Sequence, residues 1–183
     1  RAPFGEVSTR TIASEAGLNL PAIKYYFGDK QGLYEACSTE VVRAYEAGLL
    51  EARHALPDAT AGPKAQLKAL FHTLTRLTTD RRFGRHHTGF ILYALQREDE
   101  AQRILIDELW APGLVAIAGL IAQIRSRLQP DDTDRLDAVM LLASLSGFTT
   151  GLPVSLRVLG WSQIDQPQQN QIIANITAQI DRL

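Results

Sequence analysis

Apolar residues recur at helical spacing along almost the whole chain, and this pattern limits the possible folds more than any other feature. The clearest stripes run from Leu67 to Leu77 and from Leu114 to Leu128, where Leu, Ile or Phe returns every three or four residues. No segment shows the alternation of apolar and polar residues that a half-buried strand requires, and no internal repeat is present. The sequence therefore predicts an all-α fold.

One strong break divides this pattern. The run from Leu56 to Pro63 is rich in Pro, Gly and other small residues, which interrupt helices. A helix predicted over Lys30–His54 precedes the break and must couple the two sides. We therefore predict an N-terminal domain over residues 1–54 and a larger domain over residues 55–183.

Composition narrows the function classes. The 183 residues include 19 Lys and Arg, 20 Asp and Glu and a single Cys, which excludes a disulfide scaffold and a four-cysteine zinc site. No apolar run approaches the ~20 residues of a membrane span, so we expect a soluble, cytoplasmic protein with no membrane partner. The net charge of −1 at first argues against a nucleic-acid partner. The chain begins with Arg1 instead of Met, and we expect further residues in front of it.

Residues 8–28 have the spacing of two short helices joined by a tight turn. Ala13 is small where two helices would cross steeply, and Gly17 suits the left-handed conformation of a three- to four-residue turn. Ile23 returns the second helix to the core. The predicted capping residues are Ser8 or Thr9 for the first helix and Asn19 for the second. This spacing predicts a helix-turn-helix unit.

The stretch from Val7 to Ala36, VSTRTIASEAGLNLPAIKYYFGDKQGLYEA, resembles the DNA-binding signature of the tetracycline-repressor (TetR) family of transcriptional regulators. Within it, the form NLxAIxYxFGxKxGLY is similar to one subgroup of that family. Beyond this signature the chain resembles the family only in its helical pattern and in a weaker echo, PVSLRVLG, at residues 153–160. The family's first helix would precede Phe4-Gly5, and this sequence lacks it.

The resemblance implies that the second helix of the unit reads base edges in the major groove while neighbouring groups hold phosphates. Arg10 could donate two hydrogen bonds to a guanine edge, or it could be a solvated helix charge. Lys24 stands where the family commonly has a tyrosine, which leaves a phosphate and a base contact both open. Tyr26 and Phe27 are predicted as core. The implied DNA-contacting set is Ser8, Thr9, Arg10, Asn19, Leu20, Pro21, Ala22, Lys24, Tyr25 and Lys30.

The local charge of the N-terminal segment weakens the argument against a nucleic-acid partner that the net charge gave. From Arg1 to Lys30 there are four basic and three acidic residues, and DNA affinity depends on local neutralisation of phosphates. We therefore expect DNA binding with a modest dependence on salt concentration.

The larger domain is expected to bind a small, largely apolar effector, because ligand sites are mostly apolar with a few placed polar groups. The alternative for each candidate is ordinary core. The cluster from Arg81 to His87 could bind an acidic group, or form a solvated helix start or a contact with the DNA-binding domain. The candidate lining residues are Phe71, Phe90, Tyr93, Trp110, Met140, Ser144 and Phe148.

Two rows of residues predict a homodimer interface. Small residues at four-residue spacing allow close approach of another helix, and the last helix carries isoleucines at the same spacing. The resemblance implies a four-helix interface between two subunits, and packing within one subunit is the alternative. The predicted interface residues are Ala143, Gly147, Gly151, Ile172, Ile176 and Ile180.

Together with the resemblance, these features predict a homodimeric regulator, expected to be a repressor, that binds a palindromic operator. The resemblance implies that the segment Gln96–Trp110 lies against the DNA-binding domain, so an effector that moves this segment would release DNA. An effector that instead promotes DNA binding is the alternative. No cofactor or metal is expected. The alternatives are an all-α enzyme, or a protein-interaction module whose helix-turn-helix does not bind DNA. The enzyme alternative lacks a Gly-rich phosphate loop and a metal-spaced His/Cys/Asp set. Four aspartates between Asp131 and Asp137 suit a helix start better than a Mg²⁺ site.

Overall fold

The computed structural model describes residues 7–54, 61–80 and 83–183. Within these ranges the secondary structure is helical and includes no strand, which confirms the all-α prediction. The predicted boundary between the two domains falls partly on residues 55–60, outside the described residues. The helices are α1 (Thr9–Glu15), α2 (Leu20–Phe27), α3 (Lys30–His54), α4 (Pro63–Thr79), α5 (Phe83–Leu95), α6 (Glu100–Leu105), α7 (Ala111–Ile124), α8 (Asp132–Ala143), α9 (Leu152–Leu159) and α10 (Gln166–Asp181).

Helix α4 lies at the centre of the larger body and packs against α3, α7 and α10. Its residues Leu67 and Phe71 are fully buried, together with Ile117 and Ile121 of α7. Burying a side chain of this size contributes about 1.5–3 kcal/mol relative to leaving it exposed. The stripes that predicted helices at Leu67–Leu77 and Leu114–Leu128 therefore face each other here, although α7 ends at Ile124.

The connection between α6 and α7 is a π-helical turn over Ile106–Trp110. Pro112 is the second residue after this turn; its backbone nitrogen carries no hydrogen, and its ring clashes with the carbonyl four residues before it. A wide turn accommodates this proline without ending the helix. The continuous helix Glu100–Ile124 is long and apolar enough to cross a membrane, but here it packs against α3, α4 and α8 as part of the helical body.

The segment after α8 does not continue as one helix. Helix α8 ends at Ala143, a 3-10 turn covers Ser146–Phe148, and α9 leaves at an angle of 75°. The hydroxyls of Ser144 and Ser146 each donate to a backbone carbonyl three residues back at 2.6 Å, which competes with helical hydrogen bonding. Leu136 and Met140 are exposed, so none of the residues that the structure describes covers this apolar face of α8.

An ion-pair network joins the end of α7 to the start of α8. Arg125 donates to Asp134 at 2.8 Å and to Asp137 at 2.6 Å, and these hydrogen bonds raise the pKa of the Arg125 guanidinium. Asp134 is fully buried and completes a capping box with Asp131, which pairs with Arg127. The remaining aspartate of the cluster, Asp132, pairs with Arg135. All four carboxylates thus have arginine partners, which accounts for the cluster structurally.

Candidate DNA-binding unit and effector cavity

Helices α1 and α2 form a helix-turn-helix whose turn is a Schellman motif. The N–H of Leu18 donates to the carbonyl of Ala13 at 2.8 Å, and that of Gly17 donates to Ser14 at 3.2 Å. Gly17 has φ +68°, the left-handed conformation that its position in the sequence predicted. Ala13 and Ile23 are buried between the helices, as their spacing also predicted.

Both helix starts are capped by the predicted residues. The Oγ of Ser8 accepts from the N–H of Thr11 at 3.1 Å, and the Oδ1 of Asn19 accepts from the N–H of Ala22 at 3.0 Å. These two oxygens therefore fix where α1 and α2 begin. Because the caps occupy them, any DNA contact by Ser8 or Asn19 would come from their remaining hydrogen-bonding capacity.

The other predicted DNA contacts all lie in this unit or where it joins α3. The side chain of Tyr25 is 83% exposed, which is unusual for an aromatic residue. The contacts of all ten residues with DNA stay predictions. The exposed members of the set are Ser8, Arg10, Asn19, Leu20, Pro21, Lys24 and Tyr25, and the half-buried members are Thr9, Ala22 and Lys30.

The prediction that Tyr26 is core is wrong, because its side chain is 73% exposed. Phe27 lies at the border of exposure, so it is at most partly core. The ring of Tyr25 meets that of Tyr26 edge-on, with centroids 4.9 Å apart. On a helix of eight residues, Ile23 alone is buried, and the aromatic residues that follow lie outside its face.

The junction between α2 and α3 depends on Gly32, for which the sequence predicted no role. Gly28 ends α2 with φ +79°, and Asp29 accepts from the N–H of Gly32 at 2.9 Å, which caps α3. A Cβ on Gly32 would lie 2.1 Å from the carbonyl oxygen of Phe27. The glycine in the motif GLY was the available signal: it permits this close approach and so sets the position of α2 on the connecting helix.

The larger body contains a partly open apolar cavity of about 430 Å³ between α3, α4, α5, α7, α8 and the π-helical turn, and two of its lining residues, Leu92 and Val139, are exposed to solvent. Leu74 of α4, Ile91 of α5 and Ile117 of α7 contribute to its walls, with Tyr45 and Leu49 of α3. No Asp, Glu, Lys, Arg or His is among the lining residues that the structure describes. The arrangement suits a largely apolar molecule.

Of the seven residues predicted to line the effector site, Trp110 alone contributes to this cavity. Phe71 lies in the core, and Phe90 and Tyr93 pack on Tyr34 with ring centroids 4.9 and 6.1 Å away. Periodicity identified the helices but not the sides of each helix that face the cavity. The remaining three lie elsewhere: Phe148 stacks on Trp161 at 6.3 Å, and Met140 and Ser144 line a separate groove with Leu183.

The predicted dimer interface is also corrected. Ile172, Ile176 and Ile180 are buried inside their own subunit, because α10 packs along α4. At the start of α10, Gln169 donates to Thr79 Oγ1 at 3.0 Å, and near its end Asp181 pairs with Lys68 at 2.6 Å. Both ends of α10 are thus held against α4.

The row of small residues does not lie on one helix. Ala143 ends α8 and lines the cavity, whereas Gly147 and Gly151 pack against each other in the bend before α9. A Cβ on Gly151 would lie 3.3 Å from the Cα of Gly147. The Oγ of Ser155 donates to the carbonyl of Gly147 at 2.6 Å. The close approach that small residues permit is therefore made within the subunit.

A different apolar surface is uncovered. Leu136, Val139 and Met140 of α8 and Val154 and Val158 of α9 are exposed, and we call this set the α8–α9 face. The first three recur at the spacing of a single helix face. Exposed apolar patches on a helical surface mark interaction sites more often than isolated exposed residues do.

An aromatic and charged cluster lies where α3, α5 and α6 meet. The guanidinium carbon of Arg97 lies 5.8 Å from the ring centre of Tyr34 in α3 and 5.7 Å from that of Tyr93 in α5. Arg97 also donates to Asp99 at 2.5 Å, a bond that raises the pKa of the guanidinium. Asp99 in turn caps α6 by accepting from the N–H of Gln102 at 3.2 Å. This cluster joins α3, α5 and α6.

Comparisons with known proteins agree with this architecture. Residues 1–37 match the family model of the bacterial regulatory proteins of the tetR family. The first 37 residues are therefore similar to the N-terminal domain of that family, and the finer subgroup stays a prediction.

A relative matches over nearly the full chain. The HTH-type transcriptional dual regulator CecR of Shigella flexneri is 28% identical over 193 residues, which cover 98% of this chain and 85% of CecR.

Two solved structures share the fold. A proposed fatty acid metabolism regulator from Clostridium perfringens superposes with a TM-score of 0.69 at 20% identity, over 97% of this chain and 88% of that one. A proposed transcriptional regulator from Pseudomonas aeruginosa PAO1 gives a TM-score of 0.72 at 19% identity, over 98% and 81%. The arrangement of helices is thus shared with both of these solved structures.

Proposed function

We propose that this chain is a ligand-responsive transcriptional regulator of the TetR type. The observation that carries the proposal is the continuity of α3. This helix begins directly after a helix-turn-helix that matches the tetR family model, and further along it supplies Tyr45 and Leu49 to the wall of an apolar cavity. One helix therefore touches both the DNA-binding unit and the effector site.

In this proposal α2 enters the major groove of a double-stranded operator. Its outward side chains include Tyr25 and Lys24, and its N-terminus presents Leu20 and Pro21, which are exposed and able to meet thymine methyl groups. Arg10 on α1 is exposed and available for a guanine edge or a phosphate. The known relatives are named as regulators, which favours this assignment over an enzyme.

The regulator acts as a homodimer in this proposal, with the α8–α9 face as the contact between subunits. The exposure of Leu136, Met140 and Val154 supports this position of the subunit contact, since burial of their side chains against a second subunit lowers the free energy of the dimer. Two identical subunits place two reading helices about one DNA turn, ~34–36 Å, apart and prefer a palindromic operator.

Ligand and DNA are coupled through a shift between two conformations. An effector releases DNA only if its affinity for the conformation that cannot bind the operator exceeds its affinity for the conformation that can. A ligand in the cavity touches Leu109 and Trp110 in the π-helical turn, and the adjoining α6 packs against α3. Displacement of this segment therefore reaches the helix that carries the DNA-binding unit. We propose repression that the effector relieves.

Fluorescence anisotropy with labelled DNA from the intergenic region upstream of the gene tests the proposal. We expect sequence-specific binding at moderate salt, with a salt dependence that corresponds to fewer than about ten phosphate contacts. A scrambled duplex of the same length is the control. Equal affinity for both duplexes, with and without cell extract as a source of effector, would overturn the regulatory function.

A further inference from the structure

The effector cavity is partly open, and apolar residues form part of its rim. Leu92 of α5 is 38% exposed and Val139 of α8 is 47% exposed, although both line the cavity. Ala116 of α7 and Ala143 at the end of α8 also line it and are exposed. A small-molecule site buries roughly 70–90% of the surface of a drug-sized ligand. A ligand held by this subunit alone would therefore keep apolar surface in contact with water at the rim.

Helix α8 carries the boundary between the cavity and the α8–α9 face. Leu142 lines the cavity and is half-buried, whereas Leu136 and Met140 do not line it and are exposed. Val139 belongs to both sets, since it lines the cavity and is a member of the α8–α9 face. Ala143, four residues later, lies on the same side of the helix as Val139. The apolar lining of the cavity therefore continues directly into the apolar face.

The same continuity exists at the bend that leads to α9. Thr149 and Thr150 line the cavity, and α9, with its exposed Val154 and Val158, begins two residues later. Both threonine hydroxyls donate to the carbonyl of Ser146, at 3.2 and 3.1 Å, so their protons are already used within the bend. The α8–α9 face thus adjoins the cavity along α8 and along the bend.

The charge pattern of this region favours a second copy of the chain as its partner. The five members of the α8–α9 face are all apolar. Two carboxylates of the same helix, Asp132 and Asp137, are paired with Arg135 and Arg125. In a two-fold dimer each subunit presents the same surface to the other, so an uncharged apolar face meets no like charge. A nucleic acid would instead require a cluster of cations to neutralise its phosphates.

We propose that a second subunit closes the effector cavity, so that the complete site exists only in the dimer. A subunit that lies on the α8–α9 face reaches Val139 and covers the rim, where it removes the remaining apolar surface of the ligand from water. The proposal rests on the proposed function, since it takes the α8–α9 face as the contact between subunits. It goes further by coupling effector binding to dimerisation, and each then strengthens the other by the same factor.

The coupling is measured on the full chain without DNA. The probe is N-phenyl-1-naphthylamine, a neutral dye that fluoresces in apolar surroundings, and sedimentation velocity over a dilution series gives the dissociation constant of the dimer. We expect saturating dye to lower this constant about 100-fold, because each of the two sites in a dimer contributes a factor of about ten. An unchanged constant would overturn the proposal, as would a wild-type protein that binds no dye.

Met140→Glu separates the contribution of the second subunit from that of the first, because Met140 is on the α8–α9 face but does not line the cavity. We expect its monomer to bind the dye about tenfold more weakly than the wild-type dimer does, a usual strength of coupling between two sites. The wild-type affinity should return at protein concentrations that restore the dimer.

Leu50→Glu is the matched control, because Leu50 is an exposed apolar residue of α3 that belongs neither to the face nor to the cavity lining. It should keep the dimer and the dye affinity of the wild type. Three results with Met140→Glu would each overturn the proposal: wild-type dye affinity in the monomer, weak binding that persists after the dimer returns, or a protein that remains fully dimeric.

Failure of this proposal is distinguishable from failure of the proposed function, since these measurements contain no DNA. Operator binding together with a dye affinity that does not depend on dimerisation would reject the closed cavity and leave the regulator intact. The expected coupling without operator binding would reject the regulator and leave the closed cavity intact.

Discussion

Gly32 and Phe27 approach so closely that a Cβ on Gly32 would lie 2.1 Å from the carbonyl oxygen of Phe27. The obstacle is backbone, which cannot move aside as the end of a flexible side chain can. This contact fixes the last turn of α2 against the first turn of α3, and it thereby fixes the orientation of the predicted reading helix.

Gly32→Ala is therefore expected to lower the free energy of unfolding by about 1–3 kcal/mol, the usual cost of overpacking. Operator affinity should fall as well, because α2 must shift to admit the methyl group. Urea unfolding and fluorescence anisotropy measure the two effects. Gly119→Ala is the control, since a Cβ there meets nothing within 4 Å, and it should not destabilise the protein. A Gly32→Ala protein that matches wild type in both assays would contradict the packing argument.

Arg10→Ala tests the predicted base contact. We expect a loss of ~1–3 kcal/mol on the cognate operator and a relaxed preference at one base pair, as measured by anisotropy on a set of single-base variants. Arg43→Ala is a charge-matched control, because Arg43 is an exposed residue of α3 that pairs with Glu40 on the same helix. Equal losses for Arg10→Ala on every duplex would show that Arg10 contacts phosphate.

Met140→Glu tests the α8–α9 face. A charge on this exposed position leaves the subunit core intact but opposes burial against a second copy, so we expect a shift from dimer to monomer in sedimentation velocity. Operator affinity should fall with it. Leu50→Glu is the control, because Leu50 is also an exposed apolar residue but lies on α3, outside the α8–α9 face. A Met140→Glu protein that stays fully dimeric would remove this face from the interface.

Asp134→Asn is expected to destabilise the protein by about 1–3 kcal/mol, because the buried side chain loses its charge-assisted hydrogen bonds with Arg125 and Arg127, while Arg125 keeps Asp137 as a partner. Asp134 is 0% exposed by side chain, whereas Asp132, two residues earlier, is fully exposed. Asp132→Asn should change the stability by less than about 1 kcal/mol, since surface ion pairs contribute little. Urea unfolding followed by circular dichroism compares them. Similar losses in both variants would contradict the role assigned to the buried pair.

Tyr45 makes stability fall at alkaline pH. Burial raises the pKa of its hydroxyl from 10.0 to about 12. Between pH ~10 and ~12 the Tyr45 hydroxyl ionises in the unfolded chain but not in the native chain. The free energy of unfolding therefore falls as the pH rises through this range, by up to about 2–3 kcal/mol. Tyr45→Phe should reduce this slope in unfolding measurements from pH 9 to 12. Tyr34 keeps a residual slope, because its pKa is likewise raised to about 12. Tyr25→Phe, at an exposed position, is the control, and an equal reduction there would contradict the assignment.

Local chemistry made part of this protein predictable. Ser8, Asn19 and Gly17 have roles that depend on neighbours three or four residues away, and the caps and left-handed turn form where their residue types predicted. The all-α class follows in the same way, since helical periodicity is visible along the chain. These features needed no knowledge of distant contacts.

The distant contacts decided the rest. Ile172 and its companions on α10 could face α4 or a second subunit, because periodicity defines an apolar face without naming what covers it. Trp110 and Phe71 are equally apolar in sequence, yet one lines the cavity and the other fills the core. Gly32 showed its role only when its backbone met that of Phe27. The sequence by itself determined the helical class and the capped turn between α1 and α2, because these depend on residues a few positions apart. Only tertiary packing determined which apolar surfaces close on one another and which stay open for a ligand or a partner.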